Sequence, residues 1–151
     1  METLELVWLV PALPLLGFLT LIVFGRKLGD PLSGVVATAA VAGSFLVTLA
    51  LYAGLLDRPE EERQFVQTLF SWVPAGGLAV DFGFLVDPLS VTMCLFITGV
   101  GSLIHLYAIG YMKGQDDFPK FFTYLNMFVF AMLLLVLGSS MLLTFLGWEG
   151  V

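Results

Sequence analysis

Residues 32–56 read LSGVVATAAVAGSFLVTLALYAGLL, a stretch of 25 residues without a charged side chain. About 20 mainly apolar residues in helical form cross the roughly 30 Å hydrocarbon core of a bilayer. Apolar residues make up 59% of the 151-residue chain, charged residues make up 12%, and the mean hydropathy is +1.00. A soluble domain holds about 45–50% apolar residues. We therefore expect lipid to be the solvent for much of this chain's surface.

Four complete membrane spans and the start of a fifth follow from the same length rule. They are predicted at residues 7–24, 32–56, 88–112 and 121–137, with the fifth beginning near residue 141. The predicted fold class is an all-α polytopic membrane protein, in which residues 1–151 form a single N-terminal membrane region. Because 11 residues cannot cross a bilayer, we expect the rest of the fifth span and the later helices to lie beyond Val151 in a longer protein.

The first span contains helix breakers, and the second contains small residues. Pro11, Pro14 and Gly17 lie inside the first apolar run, where they are tolerated if neighbouring helices satisfy the carbonyls that they free. Ala40 and Ser44, four residues apart in the second run, suit close contact between helices.

Residues 57–86 form the one sizeable loop. It opens with six charged side chains: Asp57, Arg58, Glu60, Glu61, Glu62 and Arg63. Residues 65–73 and 78–84 then flank Pro74-Ala75-Gly76-Gly77, and the second of these arms alternates apolar residues with small or acidic ones. This pattern predicts a short β-hairpin with a glycine-bearing turn, lying at the membrane surface.

Charge and cysteine usage limit the function classes and set an orientation. The net charge is −6 and no basic stripe is present, so nucleic-acid binding is not expected. The lone Cys94 excludes an internal disulfide and a cysteine metal cluster. Four of the six basic residues lie in two short loops, as Arg26, Lys27, Lys113 and Lys120. The positive-inside rule places these loops in the cytoplasm, with the N-terminus and the hairpin outside.

Glu149 is the acidic residue whose depth matters most. A charge at the bilayer centre costs about 2.5–3.5 kcal/mol on insertion scales. If residues 121–146 form one helix, it is about 39 Å long and Glu149 lies at the interface. If the chain breaks at Gly138-Ser139-Ser140, Glu149 lies about 13 Å into a fifth span, close to the midplane. Hydropathy alone leaves both alternatives open.

Two further ionisable residues have a structural and a functional interpretation. His105 lies in the third span, where it either hydrogen-bonds a neighbouring helix or relays protons. Asp87 precedes Pro88 at the start of that span, where it either caps the helix or takes part in coupling. No metal site is predicted.

Several ordered motifs resemble one family. They are Asp87-Pro88-Leu89-Ser90, Gly101-Ser102-Leu103-Ile104-His105-Leu106-Tyr107, Gly110-Tyr111-Met112, Phe121-Phe122-Thr123-Tyr124-Leu125-Asn126 and Gly147-Trp148-Glu149-Gly150-Val151. Together they resemble the L-type (chain 5) antiporter-like membrane subunit of proton-pumping NADH–quinone oxidoreductase, respiratory complex I. The resemblance covers residues 65–151 in sequence and residues 1–64 in layout.

The resemblance implies a proton-translocating subunit of a bacterial inner membrane. In that family the glutamate of the Gly-Trp-Glu motif lies within the fifth span and pairs with a lysine on a later helix. Carried over, this role falls to Glu149 and favours the break at residues 138–140. No cofactor is expected in this chain, whereas NADH, FMN, iron–sulfur clusters and quinone belong to other subunits.

The partners implied are the lipid bilayer, protons and the other membrane-arm subunits, especially the neighbouring antiporter-like subunit. Two alternatives remain open. One is the homologous large subunit of a multisubunit cation/proton antiporter without redox chemistry, which shares the Asp-Pro-Leu-Ser, His-x-Tyr and Gly-Trp-Glu features. The other is a structural or assembly membrane protein without a transport role.

Overall fold

The computed structural model of the chain describes residues 3–75 and 78–151. It contains four α-helices, two β-strands and two short 3-10 helices within these residues. In chain order they are a 3-10 helix Leu4–Trp8, α1 (Leu9–Leu56), a 3-10 helix Glu60–Glu62, β1 (Phe65–Ala75), β2 (Leu78–Val86), α2 (Pro88–Tyr111), α3 (Phe118–Leu137) and α4 (Met141–Gly150). The predominantly helical class is confirmed.

Among residues 3–75 and 78–151, three helical segments are long and apolar enough to cross a membrane, at Leu4–Leu56, Pro88–Tyr111 and Phe118–Leu137. Large apolar side chains on them face outward: Leu46, Phe96 and Leu103 are 66%, 64% and 65% exposed. Such surface is costly in water and favourable in hydrocarbon. The chain is therefore an integral membrane protein.

Helix α1 is interrupted near its middle. Gly29 has φ 62° and Asp30 lies in extended backbone, so the helical geometry fails at these two residues. A positive φ of this size is easily adopted by glycine, which has no Cβ. The segments 9–28 and 31–56 fold back on each other, and a hydrogen bond joins them. The Ser44 hydroxyl donates it to the carbonyl oxygen of Val10 over 2.6 Å.

That hydrogen bond explains how Pro14 is tolerated inside residues 9–28. Pro14 has no backbone N–H, so the carbonyl of Val10, four residues earlier, loses its helical donor. Ser44 supplies the replacement from the neighbouring segment. A Cβ on Gly17 would lie 2.9 Å from the Cβ of Ala40, so the two segments touch there. Two predictions are thereby confirmed: a neighbouring helical segment satisfies a carbonyl freed by proline, and small residues of the second run lie at a close contact between segments.

The two loops rich in basic residues lie at one end of the molecule. The Gly114 N–H donates a 2.9 Å hydrogen bond to Oδ2 of Asp30, which ties the connection between α2 and α3 to the interruption in α1. Below them a buried apolar cluster contains Leu21, Phe118 and Phe122. The shared side expected for these loops from the sequence is what the structure shows.

Strands β1 and β2 pair antiparallel, with Phe65 opposite Val86 at the open end. This confirms the predicted hairpin, while its predicted turn at Gly76-Gly77 lies outside the described residues. Phe84 and Val86 are buried and Asp81 is exposed, so the alternation predicted for this strand is present. The buried face packs into the larger apolar core, together with Leu4, Leu137 and others.

Helices α2 and α3 occupy the stretches in which the third and fourth spans were predicted. α2 occupies Pro88–Tyr111, against the predicted 88–112. α3 begins at Phe118, three residues before the predicted start at 121, because Pro119 sits in its first turn. Proline favours that position, where its missing N–H has no helical acceptor in any case.

Candidate functional site

The chain breaks between α3 and α4. Residue Gly138 leaves helical geometry, and Ser140 is extended with φ −129° and ψ 151°. The Ser140 hydroxyl accepts a 3.3 Å hydrogen bond from the Leu143 N–H and caps the new helix. The structure thus decides between the two alternatives left open by hydropathy: the single helix over residues 121–146 is wrong, and the break is confirmed.

Helix α4 turns back along α3. A Cβ on Gly147 would press on the backbone nitrogen of Leu135 and lie 2.7 Å from its Cα. A Cβ on Gly150 would lie 2.8 Å from the Cβ of Ala131. Such close approach requires glycine on the α4 side of the contact. Glu149 directly precedes Gly150 and is therefore level with Ala131, six residues or about 9 Å before the end of α3.

The Glu149 side chain is exposed on the surface of the described residues. None of the side-chain hydrogen bonds found among residues 3–75 and 78–151 involves its carboxylate. At this depth along an apolar helix, a carboxylate surrounded by hydrocarbon is unfavourable without a compensating group. The structure therefore leaves the Glu149 carboxylate on the exposed surface of α4.

His105 lies inside the bundle, with 1% of its surface exposed. Its Nδ1 is 2.7 Å from the carbonyl oxygen of Gly101, one turn earlier in α2. A carbonyl only accepts, so Nδ1 carries the proton and Nε2 of the neutral ring is left as an acceptor. Nε2 is buried and has no hydrogen-bond partner among the described residues. The ring lies 6.2 Å from that of Phe122 on α3, centroid to centroid.

Asn126 is a buried polar residue to which the sequence analysis gave no role beyond a motif. It is 0% exposed, and both side-chain amide atoms lack hydrogen-bond partners among the described residues. A Cβ on Gly17 would lie 3.0 Å from its Nδ2, so the amide abuts the first segment of α1. The sequence did carry a signal for this residue: Asn126 is the only asparagine of the chain and lies within an apolar span. Polar groups in such spans are costly and are therefore candidates for a role.

Asp87 caps α2. Its Oδ1 accepts a 2.7 Å hydrogen bond from the Ser90 N–H, and its own N–H donates to the Ser90 hydroxyl at 2.9 Å. This reciprocal pair is a capping box, here with serine at the third helical position. The structural interpretation of Asp87 is therefore observed directly, and its coupling role stays a prediction.

The three predicted residues do not form one cluster. Asp87 and His105 lie at the start and toward the end of α2, about 27 Å apart along its axis, while Glu149 lies on α4. Groups of three or more potential metal-ligating side chains are not found in the described part of the chain. The residues form separated ionisable sites along the helices rather than one catalytic pocket.

The long apolar helices, the break between α3 and α4 and the isolated ionisable side chains together define the class of protein. The chain is a polytopic helical membrane protein of the kind that carries polar sites along broken helices, as ion-transport proteins do.

Comparison with known proteins gives the family. Residues 72–122 match the family described as NADH-Ubiquinone oxidoreductase (complex I), chain 5 N-terminus. The chain is 46% identical to NADH-quinone oxidoreductase subunit L of Mycobacterium tuberculosis over 144 residues. It is 38% identical to subunit L of Escherichia coli over 139 residues, and 40% identical to NADH-ubiquinone oxidoreductase chain 5 of Allomyces macrogynus over 140 residues.

These alignments cover 92–95% of this chain but only 22–23% of each relative. The chain belongs to the subunit L/chain 5 family of complex I and corresponds to the N-terminal portion of its members. The resemblance seen in the sequence motifs is confirmed.

Proposed function

We propose that the full-length protein is a proton-translocating, antiporter-like subunit of NADH–quinone oxidoreductase. It couples electron transfer in other subunits to proton movement through buried charged residues. It carries no redox cofactor of its own, and NADH, FMN, iron–sulfur clusters and quinone are bound elsewhere in the complex. Its partners are the other membrane-arm subunits, in particular the neighbouring antiporter-like subunit.

One observation carries this proposal. The break at residues 138–140 starts α4 so that Glu149 lies level with Ala131, inside the apolar length of α3. A charged carboxylate there is stable only with a nearby cation, and without one it takes up a proton. Moving the cation toward or away from Glu149 therefore loads and releases a proton. The family resemblance assigns that cation to a lysine on a later helix.

The proposed topology has four complete spans and the start of a fifth. The fold-back of α1 at Gly29 and Asp30 supports its division into two spans. The hydrogen bond between Asp30 and Gly114 supports one shared side for the basic loops. By the positive-inside rule that side is the cytoplasm, so the N-terminus and the hairpin lie outside the bacterial inner membrane.

His105 is the second element of the proposal, as a proton relay. The buried Nε2 acceptor, which has no hydrogen-bond partner among residues 3–75 and 78–151, supports it, since such an acceptor is a place for an ordered water. For Asp87 the capping box supports the structural role, and a coupling role is the alternative.

The family names favour complex I over the cation/proton antiporter alternative. The relatives named above are subunits of NADH–quinone or NADH–ubiquinone oxidoreductases. An assembly role without transport is separated from proton translocation by the substitution described next.

The deciding substitution is Glu149→Gln in the full-length protein within its assembled complex. The amide keeps the size of the side chain but cannot take up a proton at neutral pH. NADH-driven proton uptake into proteoliposomes should fall by about tenfold or more, as for loss of a proton-transfer group, while assembly is preserved.

Glu61→Gln is the matched control, because Glu61 is exposed in the charged loop and its substitution should leave uptake unchanged. Normal uptake by an assembled Glu149→Gln complex would refute the proposal and leave the assembly role.

A further inference from the structure

The hairpin touches the break directly. The Ser139 N–H donates a 3.0 Å hydrogen bond to the carbonyl oxygen of Gly83 in β2. Phe84 and Gly138 form an isolated antiparallel bridge beside it. Strand β2 therefore pairs with β1 on one edge and with the break on the other. The hairpin and the start of α4 are therefore joined through backbone atoms.

The hairpin itself is anchored independently of α4. The Gln67 side chain donates a 2.8 Å hydrogen bond to the carbonyl oxygen of Glu5 in the N-terminal 3-10 helix. At the start of α2, the Ser90 hydroxyl donates a 3.0 Å hydrogen bond to the carbonyl oxygen of Leu85 in β2. Because the hairpin is held at two other places, it provides a fixed support against which the break rests.

The contact has no spare room at Gly83. A Cβ there would lie 2.8 Å from the carbonyl oxygen of Gln67 and 2.9 Å from the Ser139 hydroxyl oxygen. The first of these is a backbone atom of the paired strand, which cannot move aside as a flexible side chain does. A side chain at Gly83 therefore strains β2 both against β1 and against the Ser139 hydroxyl at the break.

The break in turn sets where α4 lies. α4 has only ten residues between Met141 and Gly150, and Glu149 is carried near their end. A rigid helix transmits a shift or tilt at its first residue to its last. The position of Glu149 relative to any group packed against it depends on where the break is held.

We infer that the hairpin is a positioning element for Glu149, acting through the hydrogen bond between Ser139 N–H and the Gly83 carbonyl. The inference rests on the proposed function of Glu149 for its consequence in transport. Gly83 and Ser139 are positioning residues, since neither carries the proton.

The test compares two Gly→Ala substitutions in the full-length protein within its assembled complex. Gly83→Ala presses on the Gln67 carbonyl, whereas a Cβ on Gly110 in α2 meets nothing within 4 Å. Amide hydrogen exchange of residues 139–145 should be several-fold faster in Gly83→Ala and unchanged in Gly110→Ala. NADH-driven proton uptake should fall about tenfold or more, the size expected for a misplaced reacting group. Its pH profile should also shift, because the surroundings of the carboxylate change.

A second pair tests the other side of the contact. Ser139→Pro deletes the donated N–H, and Ser139→Ala keeps it while removing only the hydroxyl. Faster exchange, reduced uptake and a shifted pH profile are expected for the proline variant alone. Equal behaviour of the two variants overturns the inference. So does failure of Ser139→Pro to assemble, because the contact would then build the subunit rather than position Glu149.

The two proposals fail separately. If Glu149→Gln leaves proton uptake normal, the proposed function is lost, whatever the exchange data show. If Glu149→Gln abolishes uptake but Gly83→Ala changes neither exchange nor the pH profile, only the positioning role is lost. A double variant Gly83→Ala/Glu149→Gln should transport no worse than Glu149→Gln alone, because both act on one group, and a further loss contradicts the inference.

Discussion

Helices α2 and α4 both start beside strand β2, but they are held there in different ways. α2 begins with a complete capping box, whose two hydrogen bonds of 2.7 and 2.9 Å join Asp87 and Ser90. α4 begins with a single capping hydrogen bond, 3.3 Å long, that the Ser140 hydroxyl accepts. The residue before Ser140, Ser139, is bonded to the hairpin. The first start is specified by residues three apart in sequence. The second depends on a strand that lies more than fifty residues away.

The largest effect is expected at Gly147, where packing rather than capping holds α4. In Gly147→Ala the new methyl group presses on the backbone of Leu135 and on the Ala131 carbonyl oxygen, 2.9 Å away. Overpacking of this kind costs about 1–3 kcal/mol, and more where backbone atoms must shift. The thermal unfolding midpoint of the purified full-length subunit should fall, and proton uptake by the complex should be largely lost.

Gly110→Ala is the control for that measurement, since its methyl group enters open space and helix propensity favours alanine. If Gly147→Ala unfolds at the same temperature as Gly110→Ala and transports normally, the close approach of α4 to α3 is not what holds Glu149 in place.

The next effect is expected at Asp87. Asp87→Ala removes one cap acceptor and leaves the Ser90 N–H without its partner, at a cost of about 1–2 kcal/mol. Asp87→Asn keeps an oxygen acceptor and should retain most of the stability, as read from the unfolding midpoint. The same pair tests the coupling alternative, because asparagine caps without ionising. Reduced proton uptake by an Asp87→Asn protein of normal stability would show that the carboxylate does more than cap.

The smallest effect is expected at Ser140. Ser140→Ala deletes a single 3.3 Å cap, so we expect a loss of about 0.5 kcal/mol, at the low end for capping residues. Ser140→Thr, which preserves the hydroxyl, serves as its control. An unfolding midpoint lowered as far by Ser140→Ala as by Asp87→Ala would break the contrast between the two helix starts, because α4 would then depend on its local cap.

Local signals predicted the elements that local chemistry specifies. Asp87-Pro88 marked the start of α2, and the alternation of residues 78–84 marked the second strand. Pro14 in an apolar run implied that a neighbouring helix supplies a donor, and Ser44 does so. Each of these rests on a period, a cap or a missing N–H, which are visible in a few adjacent residues.

The candidate site was less accessible to the same reasoning. Glu149 was singled out, yet hydropathy alone left its depth undecided, because Gly138-Ser139-Ser140 is compatible with a continuous helix and with a break. Asn126 received no role, since its buried amide is recognised only when Gly17 is seen packed against it. Whether a polar group lacks a partner is a property of packed helices, not of one segment.

By itself the sequence determined that this chain lies in a membrane, which segments are helical, and where a hairpin interrupts them. The length of apolar runs, the placement of proline and glycine, and capping pairs are local features, so they can be read directly from the sequence. Only the tertiary structure decided that Ser44 bonds the Val10 carbonyl, that β2 bonds the break, and that Glu149 lies level with Ala131. These depend on backbone groups and glycines from distant segments meeting at van der Waals distance, and no local pattern encodes such a meeting.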